Sequence, residues 1–136
     1  MVFDASALIA YLRKEPGGDM VRDLLDDADV PKYAHIINLA EVFTSFARSD
    51  DEPTAREALA MLRTAGIEER TEMDTALWQD AAGLVARQRK AGYGLSLGDS
   101  FCVALARRLG ADIVAGDHPE FRPIDGLQLA RVIFFR

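Results

Sequence analysis

Cysteine is almost absent from this chain: its 136 residues include one, Cys102. A single thiol can neither close an internal disulfide nor build a thiolate metal site, so zinc-finger, redox-motif and disulfide-scaffold readings fall away. Its setting, Phe101-Cys102-Val103-Ala104-Leu105, is that of a small buried hydrophobe rather than a nucleophile. Lysine is scarce too, with only Lys14, Lys32 and Lys90, and the other basic residues are arginines. No Gly-Lys-Ser/Thr phosphate loop exists, and no lysine after residue 90 can serve a receiver-type phosphotransfer site. Long apolar runs are missing as well. The longest candidate, Phe101 to Ala106, runs into Arg107 and Arg108, far short of the ~20 residues a membrane helix needs. The chain opens Met1-Val2-Phe3-Asp4 without a basic leader or an apolar stretch before a cleavage site, so a cytoplasmic protein is expected.

What is present is the composition of a folded protein, 49% hydrophobic and 28% charged, which excludes disorder as the main state. The length suits one domain spanning residues 1–136. Acids outnumber bases 22 to 16, for a net charge of -6. That balance argues against loose electrostatic binding of nucleic acid over a broad surface, and leaves open a nucleic acid held at one local site.

Apolar spacing predicts alternating strands and helices. Met1 to Asp4 reads as the edge of a core strand, and Ala5 to Lys14 as a helix through Leu8, Ile9 and Leu12. Pro16-Gly17-Gly18 stops it, and Met20, Val21, Leu24 and Leu25 mark a second amphipathic helix. Tyr33 to Ile37 reads as a short strand feeding a helix to about Arg48. Ser49 to Pro53 starts another helix that ends at Gly66, with acids and a proline in its first turn. After a weak strand at Ile67 to Thr71, Asp74 caps a long helix through Lys90, in which Trp78 is placed with the core. Ser96 to Leu109 is a helix closed by Gly110, Asp112 to Ala115 a buried strand, and Val132 to Phe135 the last strand. This alternation predicts an α/β fold with a parallel sheet covered on both faces.

Ligands of open parallel sheets bind beyond the carboxyl ends of the strands. Asp4 ends the first strand, and Asp117 follows the strand ending at Ala115. Asp99 sits at a helix amino terminus facing the same edge, and Glu41 lies on the helix after the Tyr33 strand. Each has a structural explanation of its own. Ser96 and Asp99 have capping-box spacing. Asp117 before His118-Pro119 suits a turn. Glu41 belongs to a stripe of His35, Asn38, Glu41, Ser45 and Arg48, a pattern usual for a solvated helix face. Asp4 resists such an account, because an acid ending a core strand is costly to bury without a partner.

Four blocks carry a resemblance: Val2-Phe3-Asp4-Ala5-Ser6-Ala7-Leu8-Ile9, His35-Ile36-Ile37-Asn38-Leu39-Ala40-Glu41-Val42, Leu95-Ser96-Leu97-Gly98-Asp99-Ser100 and Val114-Ala115-Gly116-Asp117-His118-Pro119-Glu120-Phe121. Together, and in this order, they resemble PIN-domain proteins, above all the VapC-type toxins of toxin–antitoxin pairs. The resemblance implies a three-layer α/β/α PIN-like fold with a central parallel sheet flanked by helices. It also implies a ribonuclease dependent on Mg²⁺ or Mn²⁺. Asp4, Glu41, Asp99 and Asp117 match the acidic quartet of that family. Asp4, Asp99 and Asp117 would be the metal ligands, with Glu41 a ligand or the residue orienting the attacking water. Ser6 matches a hydroxyl near the first acid, and Asn38 shares the Glu41 face as a substrate or supporting contact. The expected partners are an RNA substrate, a cognate antitoxin whose basic side chain blocks the acidic mouth, and a second copy of the chain in a homodimer. One departure is Gly116, where many relatives carry Thr or Ser.

The chemistry is consistent with that expectation. Mg²⁺ and Mn²⁺ prefer oxygen ligands, and crowded acids repel unless they protonate or bind a cation. Arg13, Lys14, Arg48, Arg87, Arg89, Lys90 and Arg122 are candidate phosphate contacts. His118 reads first as a plain loop residue, with contact to substrate or a place near the metal as the other readings, and His35 on the Glu41 face is open in the same way. A degenerate domain of the same shape that binds RNA or protein without cutting is the alternative. A haloacid-dehalogenase-like phosphatase also begins with strand and Asp, but it wants a second acid where Ser6 stands and a later lysine this chain lacks.

Overall fold

A computed structural model describes residues 1–116 and 118–136. Its five strands are all parallel and lie in the order β3-β2-β1-β4-β5. They are β1 (Val2–Phe3), β2 (Lys32–His35), β3 (Ile67–Arg70), β4 (Ile113–Ala115) and β5 (Val132–Phe134). Seven helices among the described residues connect them: α1 (Ala5–Arg13), α2 (Gly18–Asp26), α3 (Ile36–Ser49), α4 (Glu52–Thr64), α5 (Thr75–Lys90), α6 (Leu97–Leu109) and α7 (Arg122–Gly126). None of these helices is long and apolar enough to cross a membrane.

The helix limits follow from local chemistry. Asp4, Asp51, Asp74 and Ser96 cap α1, α4, α5 and α6 with side-chain oxygens that accept backbone N–H groups. Ser96 and Asp99 form a reciprocal capping box, and Gly110 closes α6 in a left-handed conformation, φ 60°. Strand alternation then sorts the core onto two sides. Phe3, Ala34, Ile67 and Val114 pack with α1 to α4. Val2, Ile113, Ala115 and Val132 pack with α5, α6 and α7. The result is the three-layer α/β/α arrangement with a central parallel sheet.

Two sequence expectations fail. Trp78 is 43% exposed, because the buried stripe of α5 runs through Leu77, Ala81, Leu84 and Gln88 and leaves the tryptophan one helical step off that line. The stripe of α3 read as solvated is split: His35 and Asn38 are fully buried, while Glu41 and Arg48 are exposed. The short helix α7 has no counterpart in the sequence reading.

Sheet order places the site. The chain builds β1, β2 and β3 outward in one direction, then crosses back to lay β4 against the other side of β1. The strand order reverses between β1 and β4, and the crevice beyond their carboxyl ends is the topological switch point where open α/β sheets bind ligands.

Candidate active site

Asp4 stands where β1 turns into α1. Its backbone N–H donates to Val114 O at 3.0 Å, which ties it to β4. Its side chain faces inward and is 3% exposed. Ser6 Oγ donates to Asp4 Oδ2 at 2.6 Å and accepts the Gly116 N–H at 3.1 Å. One hydroxyl thus bridges the ends of the two central strands and fixes the carboxylate between them.

From α3, buried Asn38 turns its amide toward the same point. Its Nδ2 is 3.4 Å from Asp4 Oδ1, 3.3 Å from Glu41 Oε2 and 3.3 Å from Gly98 O. It donates to two acids and to the start of α6. Its Oδ1 is buried without a hydrogen-bond partner. Glu41, one turn further along α3, closes onto α6 because residue 98 is glycine. A Cβ there would lie 2.2 Å from Glu41 Oε1 and 2.9 Å from Oε2.

Asp99 comes from the first turn of α6. Its Oδ2 accepts from Ser96 Oγ at 2.6 Å, and its N–H donates to Ser96 Oγ at 3.0 Å. The capping explanation of Asp99 is therefore structurally real, and the same residue also lines the cleft. A cleft of about 320 Å³ is lined by Asp4, Ser6, Glu41, Asp99, His118 and Glu120, among others. The fourth acid singled out in the sequence, Asp117, lies outside the described residues.

The electrostatics match this crowding. Burial, then the charge of Asp99, pushes the Asp4 carboxyl up to about 6, against the hydrogen bonds from Ser6. Glu41 is pushed up to about 7 by burial of its carboxyl and by the charges of Asp4 and Asp99, against the bond from Asn38. None of the ion pairs among the described residues involves Asp4, Glu41 or Asp99. Hard oxygen donors with raised carboxyl pKa values are the donor chemistry that suits a divalent ion. As they stand, no three such side chains among the described residues form a group able to hold one.

The remaining candidates scatter. His35 caps α3: its Nδ1 accepts the Ile37 N–H and its Nε2 donates to Glu72 O at 2.8 Å, while the ring stacks on Phe101 with centroids 4.9 Å apart. It supports the fold behind the site. Arg13 donates to Ser45 O and Ser49 Oγ near the end of α3. Arg48 lines a separate groove that Glu41 also lines. Glu120 was missed in the sequence; its only signal there was its place three residues after Asp117.

Similarity to known proteins runs along most of the chain. The PIN domain model matches residues 1–127. No curated protein matches the chain by sequence. Among solved structures, VapBC2 from Rickettsia felis, bound to a DNA fragment of its promoter, superposes with a TM-score of 0.74 at 12% identity, covering 98% of each chain. DNA-bound VapBC from Salmonella typhimurium gives 0.72 at 13% identity, covering 99% of this chain and 97% of that one. VapC20 of Mycobacterium tuberculosis, a toxin that cleaves the Sarcin-Ricin loop, gives 0.66 at 17% identity over 83% and 87%. At such identities the likeness is one of fold.

Proposed function

The chain belongs to the PIN-domain family, and we propose that it is a metal-dependent endoribonuclease, the toxin of a toxin–antitoxin pair, acting as one domain over residues 1–136 in the cytoplasm. The observation that carries this reading is the convergence of Asp4, Glu41 and Asp99 in one cleft at the β1/β4 switch point, outside every ion pair seen among the described residues. Asp4, Asp99 and Asp117 would hold Mg²⁺ or Mn²⁺. When bound, such an ion stabilises negative charge on the phosphoryl oxygens and lowers the pKa of water.

The chain's own residues supply the rest. Ser6 and Asn38 fix the two oxygens of Asp4 in separate directions. Glu41, with a carboxyl near neutrality and an exposed approach, orients the attacking water and takes its proton. The water attacks phosphorus in line, the P–O3′ bond breaks, the leaving O3′ takes a proton from solvent water, and the products carry 5′-phosphate and 3′-hydroxyl ends. The solved toxin–antitoxin complexes of the same fold support an antitoxin as partner. In this proposal the antitoxin sets a basic side chain against the acidic mouth. A homodimer is proposed as the state of the free toxin.

The test is cleavage of RNA with Mg²⁺ or Mn²⁺, with and without EDTA, by wild type, Asp4→Asn and Asp99→Asn. Cleavage by the wild type alone, lost in EDTA and leaving 5′-phosphate ends, is expected. Full cleavage by Asp4→Asn at the wild-type metal concentration would sink the assignment, and metal binding without cleavage would favour the degenerate binding domain. Growth arrest on induced expression, relieved by Asp4→Asn and by a small adjacent gene, tests the toxin role.

A further inference from the structure

Gly116 directly follows β4 and is buried, and its φ lies outside the left-handed region that favours glycine. Backbone conformation does not call for glycine here; space does. A Cβ at position 116 would lie 2.8 Å from His118 Nε2, 3.1 Å from Cδ2 of the same ring and 3.5 Å from Ser6 Oγ. The imidazole folds back into the volume that a side chain at 116 would take. Its backbone holds it there. The His118 N–H donates to Gly116 O at 2.8 Å, and His118 O accepts from the N–H of buried Phe121 at 3.1 Å.

The ring so placed lines the carboxylate cleft beside Asp4, Ser6, Glu41 and Asp99. His35 uses both its ring nitrogens on backbone groups. The His118 ring meets no such partner among the described residues. An imidazole nitrogen free to donate, held by a short backbone turn on the wall of an acidic cleft, is equipped to meet an anionic ligand. The carboxylates of that cleft repel a phosphodiester, and a donor on its wall offsets the repulsion without occupying the acids.

We propose that His118 is a substrate contact of this site, its imidazole donating to a non-bridging oxygen of the scissile phosphodiester, and that residue 116 is glycine because it admits that ring. This rests on the reading of the cleft as RNA-cleaving. A side chain at 116 and the ring at 118 in its present orientation compete for one volume. A serine at 116 places its Oγ one bond beyond a Cβ that would sit 2.8 Å from the departed nitrogen. Its hydroxyl therefore reaches the region the imidazole leaves.

Four proteins test this: wild type, His118→Ala, Gly116→Ser and the double variant. Each is read by thermal midpoint, by the rise in that midpoint on adding Mn²⁺, and by Mn²⁺-supported cleavage of an end-labelled, random-sequence single-stranded RNA pool. His118→Ala should keep its midpoint and its response to Mn²⁺ while cleavage falls about 10- to 100-fold, the loss expected for a hydrogen bond to a charged group. Gly116→Ser should lower the midpoint by crowding the ring, and cleavage with it. The double variant should regain the midpoint and cleave at least about 5-fold faster than His118→Ala.

Wild-type cleavage by His118→Ala overturns the proposal, as does a double variant no faster than that single one. A Gly116→Ser midpoint equal to wild type overturns the shared volume. Loss of the Mn²⁺ response in His118→Ala, in step with activity, makes the ring a metal ligand and overturns the substrate contact. Wild type that leaves the RNA pool intact defeats the nuclease reading itself, and this proposal with it.

Discussion

Acids at the mouth of the sheet and acids on the outer side of α5 and α6 meet opposite fates. Asp74 caps α5 and accepts two bonds from Arg108, at 2.5 and 2.7 Å. Asp80 accepts one from Arg107 at 2.7 Å. The bonds from Arg108, then the Leu77 N–H, hold the Asp74 carboxyl well below the usual carboxylate range. In the mouth, Asp4 and Glu41 are pushed upward by burial first and by neighbouring acids next. The residue type is the same and the partner differs. A solvated, paired acid adds modestly to the fold. A buried acid crowded by others works against stability, a burden that points to what the group holds when the site is in use.

That contrast breaks most sharply at Asp4. Asp4→Asn should lower metal-dependent cleavage by about 1000-fold, consistent with removal of several kcal/mol of charge stabilisation. The same substitution, in EDTA at neutral pH, should stabilise the fold by roughly 2–3 kcal/mol, the linkage value of a carboxyl shifted by about two units. The folded pKa of about 6 exceeds the ordinary 3.8, so the folded state binds this proton more tightly than the unfolded one. Wild-type stability therefore falls as pH rises through that window, and Asp4→Asn lacks that slope. Urea melts in EDTA across the window decide it; parallel pH profiles for the two proteins would remove the electrostatic account.

Gly98→Ala sharpens the comparison next. Its Cβ would press on both carboxylate oxygens of Glu41 and move that side chain away from Asp4 and Asp99. Cleavage should fall roughly 10- to 100-fold, since misplacing a catalytic group by about an ångström has effects of this order. Alanine favours the helix, so the thermal midpoint should hold. A fall in midpoint matching the fall in rate would mean the glycine serves the fold and not Glu41.

The smallest effect belongs to the paired acid. Asp74 has a depressed pKa, so its stabilising contribution is present above the ordinary carboxylate value and fades as pH drops below it. Asp74→Asn should lower the midpoint slightly at neutral pH, converge with wild type in strong acid and leave cleavage unchanged. Calorimetry across that range, beside the RNA assay, checks both halves.

Element limits were largely legible in the sequence because local chemistry sets them. Asp74, Ser96 and Gly110 mark helix ends by bonds made within a turn or two. Trp78 was misplaced because hydrophobicity cannot tell two adjacent apolar positions apart when they stand about 100° apart around a helix. The helix α7 escaped because Arg122-Pro123-Ile124-Asp125-Gly126 is too short to show a period and carries both breakers. His35 and Asn38 share a polar stripe with Glu41 and Arg48, and nothing in that stripe says where burial stops.

By itself the sequence determined the order of the strands and of every helix but α7, their caps and the acids at their ends, since all of these depend on neighbours a few residues apart. The PIN-like pattern was visible for the same reason, as blocks of local sequence in a fixed order. Tertiary structure alone decided which of those acids share a cleft, that Asn38 links two of them, and that the His118 ring lies where a side chain at 116 would be. It also decided their charge state. A carboxyl's pKa depends on burial and on charges brought from distant stretches of chain, and only the β1/β4 crossover brings those stretches together.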